Sequence, residues 1–316
     1  MNTNNDNQIL IDIAHLYHDN DWTQERIASK FNMSRSQVSK CLTKAKKLGI
    51  IEVVIHDGDL RPHRELEVRI KEKFHLREVI CIGSEVRDEN KNSFAKAAGE
   101  FLSYKIIKSD SVVITAGSTN YTIASNYITS SPHRHVTFIP ASGGLFQERW
   151  EIQANVICER IANNCGGNYM QLHVPIVVDS LEAKQILTKQ HFVKNVFDHA
   201  KKADLAIIGI GTSPVYHKLS EVYLNGIDIN DDSIKNSLIG DIAYNYFDEK
   251  GKIIDCEWNR QLMALSLDDF KNIPEVVGIA YGKDKLPGIY TAAKYGLINT
   301  LITDKKTGKN LIAYKN

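Results

Sequence analysis

The chain has 316 residues, 43% of them hydrophobic, which gives room for one large domain and a small one and for a sizeable buried core. A formal net charge of only +1 excludes wholesale coating of a polyanion, so any contact with nucleic acid has to be local. The five cysteines (Cys41, Cys81, Cys158, Cys165, Cys256) are scattered, odd in number and without a C-x-x-C pair, which argues against a disulfide framework.

The polar opening MNTNNDNQ lacks the apolar segment of a secretory signal, and no apolar run is long enough to span a bilayer. A cytoplasmic protein with no membrane partner is expected. Ile9, Ile13 and Leu16, with Leu10, Ala14 and Tyr17 beside them, then repeat at helical spacing and predict a first helix.

Residues 23–49, TQERIASKFNMSRSQVSKCLTKAKKLG, predict a helix-turn-helix packed on that helix. Thr23 is placed to cap a short helix with Ile27, Ala28 and Phe31 on its apolar face. Asn32 falls where the turn needs a residue tolerant of positive φ. Ser34 caps the second helix, with Val38 and Leu42 facing inward. Its outward residues are donors and small hydroxyls, the types that reach phosphates and base edges, and no Asp or Glu occurs from Arg26 to Lys47. Arg35, Ser36, Gln37 and Lys40 are the expected base-reading set, with Arg26, Lys44, Lys46 and Lys47 on phosphates. Cys41, on the same helix, reads as a small core residue rather than a redox sensor.

Residues 50–55, IIEVVI, predict a short strand or wing, and residues 56–62, HDGDLRP, a polar hinge. The domains are therefore expected to be 1–57, reading DNA, and 58–316, binding an effector and oligomerising. Arg64 opens a charged helix with Leu66, Ile70 and Phe74 on one face, in a place where a helix commonly connects, and often dimerises, a reader domain.

Beyond it, near-continuous apolar runs at 78–83, 110–117, 135–144, 204–212, 275–282 and 299–304 alternate with helical stretches. That alternation predicts an α/β fold with a doubly wound, mostly parallel sheet covered on both faces. Ligands of such sheets bind at the carboxyl ends of the strands. Four candidate loops follow: AGSTN (116–120), PASGG (140–144), GIGTSP (209–214), and GDIAYNYFD (240–248) paired with YGKDK (281–285). Glycine-rich helix starts there would offer backbone N–H groups to phosphate or carboxylate.

Named nucleotide and catalytic motifs fail. GIGTSP has Pro214 where G-x-G-x-x-G needs glycine, residues 278–283 are one residue short of a P-loop, and there is no G-x-S-x-G elbow. His133 and His135 lack partners at ligand spacing, so a solvated loop is expected and no metal site is assigned. No catalytic residue and no cofactor is called for.

Four segments together resemble the SorC-type bacterial sugar-responsive transcription regulators: DWTQERIASKFNMSRSQVSK (21–40), KKADLAIIGIGT (201–212), GDIAYNYFDEKG (240–251) and GIAYGKDKLPGIYTAAKYGLINTLITD (278–304). The resemblance covers nearly the whole chain. It implies an effector domain similar to the sugar-phosphate isomerase, glucosamine-phosphate deaminase and coenzyme A transferase superfamily, a double-stranded palindromic operator, and a homo-oligomer, a dimer at least and a tetramer by family habit. It also implies an effector, a phosphorylated sugar or polyol, with its phosphate near Gly117, Ser118, Thr119, Gly143, Gly144 and Lys285 and its sugar end near Asn155, Asp241 and Arg260. Ser142 stands where the family's deoxyribonucleoside regulator carries an imine-forming lysine. Serine forms no imine, so binding is expected to be noncovalent. The resulting reading is a transcription regulator, a repressor, of a carbohydrate catabolic operon. Its rivals are an active phosphosugar isomerase or deaminase with a fused DNA-binding segment, and a sensor of an unphosphorylated sugar.

Overall fold

A computed structural model describes residues 3–20, 22–51, 62–129, 132–145, 150–212 and 232–315. The chain divides into two compact units, residues 1–60 and 61–316. The domain boundary expected at 57/58, the outer part of the expected wing (52–55), nearly all of the expected hinge, Asp21, Ser213 and Pro214 lie outside the described residues.

Among the described residues the first unit contains α1 (Thr3–His18), α2 (Gln24–Phe31) and α3 (Arg35–Lys47). Ile13, Ile27, Ala28, Val38 and Leu42 are buried together, the helical-spacing residues of all three elements. The boundaries are chemical. Thr23 Oγ1 accepts the Arg26 N–H at 3.3 Å, and Asn32 ends α2 in the left-handed region at φ 52°. Ser34 and Gln37 form a reciprocal capping box: the Gln37 N–H donates to Ser34 Oγ at 3.2 Å, and the Ser34 N–H donates to Gln37 Oε1 at 2.7 Å.

The second unit runs through α4 (Arg64–Phe74), β1 (Glu78–Ile82), α5 (Lys91–Ile106), β2 (Ser111–Ile114), α6 (Ser118–Asn126), β3 (Thr137–Pro140), α7 (Ala154–Cys165) and β4 (Asn168–Tyr169). It continues through α8 (Leu181–Lys189), α9 (His191–Ala200), β5 (Leu205–Gly209), α10 (Asp232–Ser237), β6 (Gly240–Ile242), β7 (Asn245–Phe247), α11 (Glu257–Gln261) and α12 (Leu267–Lys271). Last come β8 (Glu275–Ile279), α13 (Leu286–Lys294), β9 (Thr300–Asp304) and α14 (Lys305–Ala313). Seven strands form one sheet in the order β1-β9-β8-β5-β2-β3-β4, and the pairings within it are parallel.

The strand period of two explains why both faces are covered. Val113, Ile139, Ala206, Ile208 and Val276 join one core with residues of α4, α9, α13 and α14. Their neighbours Val112, Ile114, Phe138, Leu205, Ile207, Val277 and Ile279 join a second core with α5, α6 and α7. The sheet is doubly wound, as the alternating runs predict, and the six runs contain its six longer strands.

The helix expected at 64–74 is present and lies against the sheet: Ile70 and Phe74 are buried in its core, and the Cys81 N–H of edge strand β1 donates to Glu67 Oε1 at 2.8 Å. Two features differ from the sequence reading. The expected loop at 240–248 is a β6–β7 hairpin, with Ile242 opposite Asn245 and a two-residue turn, Ala243–Tyr244, at φ 49° and 65°. Such turns ordinarily use Asn or Gly, so the sequence carried no hairpin signal. His133 is 1% exposed and shares a 3.1 Å hydrogen bond between its Nε2 and the Tyr127 hydroxyl, rather than sitting in a solvated loop.

Candidate functional site

The chain order of the sheet fixes where a ligand crevice opens. From β2 the chain moves outward to β3 and β4, then returns to place β5 on the other side of β2 and proceeds to β8 and β9. The reversal between β2 and β5 is a topological switch point, where loops leave in opposite directions and a cleft opens at the carboxyl ends.

The loop after β2 carries Gly117, at φ 133°, which starts α6. Ser118 is exposed, whereas Thr119 is buried, with its hydroxyl near that of Tyr281. Beside them Asn120 Nδ2 donates to Thr115 O at 2.9 Å, and its buried Oδ1 has no partner among the described residues.

The loop after β5 meets the hairpin: the Gly211 N–H donates to Asp241 O at 3.0 Å. This approach needs glycine, because a Cβ on Gly240 would lie 3.0 Å from Gly211 O and 3.3 Å from Gly288 Cα at the start of α13. Three backbones thus converge at Gly240, with the Phe247 ring against the same point. They bring Asp241 to the end of β5, and Lys285 follows β8 in the short turn Lys283–Lys285.

Asp241 is 8% exposed, and its Oδ2 accepts the Tyr244 N–H at 2.8 Å across the strained turn. Burial pushes its carboxyl up to about 7, although the Tyr244 N–H and the Lys285 charge pull the other way. Burial likewise lowers Lys285, opposed by Asp241. The two groups sense each other's charge, yet no direct ion pair joins them among the described residues. A buried acid and a half-buried cation that lie close without pairing can serve a ligand with an anionic end and hydroxyls.

Other expected effector residues are differently employed. The Gly143 and Gly144 N–H groups donate to Met263 O and Val174 O, each at 2.8 Å, so neither is directed at a ligand. Glycine at 143 has a packing cause, since a Cβ would stand 2.5 Å from Pro175 O and 2.6 Å from Val174 O. Ser142 between them and β3 is 1% exposed, and its Oγ has no partner among the described residues. Asn155 spends both ends of its amide on the backbone of Leu172, at 3.0 and 2.9 Å. Arg260 Nε donates to Asp255 at 2.8 Å on an exposed stretch. Among the described residues no group of three His, Cys, Asp or Glu side chains is placed to hold a metal ion, and no helix is long and apolar enough to cross a membrane.

On the helix pair, Ser36, Lys40, Lys44, Lys46 and Lys47 are exposed. Arg26 stacks on Trp22, its guanidinium carbon 3.8 Å from the ring centroid. Two residues are less free than their positions imply. Gln37 Oε1 is committed to the capping box, and Arg35 Nε lies 3.0 Å from Glu25 Oε1 in an ion pair. Glu25 stands just outside the acid-free stretch in sequence and meets Arg35 only once the turn is folded.

A small helix-turn-helix unit followed by a doubly wound sheet is the architecture expected of a ligand-responsive transcription regulator. The family model described as "Putative sugar-binding domain" matches residues 59–313. The sorbitol operon regulator of Klebsiella pneumoniae is 24% identical over 99% of this chain and 100% of its own length. The deoxyribonucleoside regulator of Bacillus subtilis is 25% identical, over 96% and 97%. The crystal structure of the full-length sorbitol operon regulator SorC from Klebsiella pneumoniae has the same fold, with a TM-score of 0.73 at 21% identity, covering 96% of this chain and 98% of that one. The chain belongs to the SorC-type family of transcription regulators with a sugar-binding domain.

Proposed function

We propose that this chain is a cytoplasmic repressor of a carbohydrate catabolic operon, released from its operator by noncovalent binding of a phosphorylated sugar or polyol. What supports the proposal is the closeness of Asp241 and Lys285, one at the end of β5 and the other after β8, uncompensated by a direct ion pair. In this reading Lys285 binds the phosphate with Gly117, Ser118 and Thr119 at the start of α6, and Asp241 accepts from sugar hydroxyls. Ser142, with its unpartnered hydroxyl, is a further contact, whereas Gly143 and Gly144 shape the wall; Asn155 and Arg260 act from outside the contact set.

Operator reading falls to Arg35, Ser36 and Lys40, with Gln37 contributing through its amide nitrogen and Arg26, Lys44, Lys46 and Lys47 on phosphates. A lone unit of this kind reads few base pairs, so a homodimer or tetramer is needed to span half-sites about 34 Å apart. The test is operator affinity with and without a panel of sugar phosphates. A hundredfold weakening needs about 2.7 kcal/mol of coupling, within the range of ordinary allostery. No change with any compound that binds the protein would refute the regulatory link. A carboxyl titrating near 7 is also what a phosphosugar isomerase uses as a general base. Turnover of the same panel by the purified protein would establish that second reading instead.

A further inference from the structure

The Arg35–Glu25 pair joins the first residue of the recognition helix to the first turn of the helix before it. Its side chains are 72% and 63% exposed, so water screens the attraction and the pair adds little to the stability of the unit. The buried side chains of Ile13, Ile27, Ala28, Val38 and Leu42 already hold the helices together. A carboxylate here also opposes the function proposed above, since it is the sole acid on α2 and α3, among cations suited to phosphates.

The geometry gives it a purpose. A guanidinium has two forked edges, and Glu25 engages Arg35 through Nε. That ion pair holds the guanidinium by its Nε side and leaves the Nη1–Nη2 fork, the edge that pairs bidentately with a guanine in the major groove. Beside the pair lies an open cleft of about 530 Å³ bordered by Tyr17, His18 and Trp22, into which an untethered guanidinium would be free to swing. We infer that Glu25 is a positioning residue for sequence discrimination: it aims the Arg35 fork at a base edge and penalises the alternative in which Arg35 drops onto a phosphate. In that alternative the released carboxylate is left facing the DNA backbone.

This inference rests on the DNA-reading assignment of α3, and the experiment separates the two. The full-length protein is used to enrich a duplex from a randomised pool, and its affinity for that duplex and for a scrambled one is measured across salt concentrations. For Glu25→Gln, affinity for the enriched duplex should fall about fivefold and affinity for the scrambled duplex should rise about twofold. The slope of log affinity against log salt on the scrambled duplex should steepen by about one, the signature of one added phosphate contact. In an Arg35→Ala background the same substitution should leave discrimination unchanged. If Glu25→Gln discriminates like the wild type, or weakens both duplexes alike, the positioning role is refuted while DNA reading stands. If the wild type enriches no duplex at all, the DNA-reading assignment falls and this inference falls with it.

Discussion

The two units use charge in opposite ways. In the helix-turn-helix unit the charged groups stand in water: Arg35 and Glu25 touch, yet each is more than three-fifths exposed. In the crevice, Asp241 is 8% exposed and its carboxyl is pushed up to about 7, with Lys285 near but not touching. The first arrangement costs little to break and responds to salt, as a surface that trades partners with DNA must. The second is costly to leave unpaired and responds to protons and ligands. The difference teaches that recognition of a long polyanion and recognition of a small ligand call for opposite degrees of burial.

The largest effect that would break this comparison concerns Asp241. Folded, its carboxyl keeps its proton up to about pH 7, whereas unfolded it releases it near the ordinary carboxylate value. Between those limits the folded state binds more protons, so stability contributed at this site is lost as pH rises from about 4 to about 7 and is level above that. Each tenfold fall in proton concentration across that range removes at most about 1.4 kcal/mol. The pH-dependent difference in unfolding free energy between wild type and Asp241→Asn checks this, and an identical pH profile for both would place Asp241 with the exposed charges instead.

Next in size is Gly143→Ala. The added Cβ meets two backbone carbonyls that cannot rotate away, and about 1–3 kcal/mol or more of stability should be lost in denaturant unfolding. A neutral result would mean that the glycine is retained for ligand approach rather than packing. In the other unit, Ser34→Ala removes half of the capping box and should cost about 1 kcal/mol, read as a lowered unfolding midpoint. The smallest effect is that of Lys46→Ala, an exposed cation on α3, which should leave stability unchanged. It should weaken binding to all duplexes alike and flatten the salt slope by about one. Loss of discrimination without a change in slope would make Lys46 a base reader.

What the sequence revealed follows the same division. The helix-turn-helix was legible because its determinants are local: Thr23, Asn32 and Ser34 each act on backbone groups within a few positions of themselves. The six longer strands were legible because β-branched runs buried on both faces carry no polar alternation to obscure them. The hairpin was not, since Ala243 and Tyr244 take left-handed conformations that are held by groups brought in by the fold, among them the Asp241 carboxylate, the Trp258 indole N–H and the Asn245 amide. The Asn155 and Arg260 side chains were equally opaque. Their partners, Leu172 and Asp255, are set by how loops fold back, which residue type and spacing do not encode. Gly143 and Gly144 illustrate a third case: glycine pairs after a parallel strand look alike in sequence whether a ligand or a neighbouring carbonyl requires them.

The most direct test of the account is calorimetric titration of wild type and Lys285→Ala with the sugar phosphate that weakens operator binding, and of wild type with its dephosphorylated counterpart. Removal of the cation should cost a charge-assisted hydrogen bond of about 1.5–3 kcal/mol, roughly a ten- to hundredfold loss of affinity, while operator binding without effector is kept. The dephosphorylated compound should bind wild type with a comparable loss. Equal affinity of wild type and Lys285→Ala for the phosphorylated compound would contradict the crevice as its phosphate site, and equal affinity of wild type for the two compounds would contradict a phosphorylated effector.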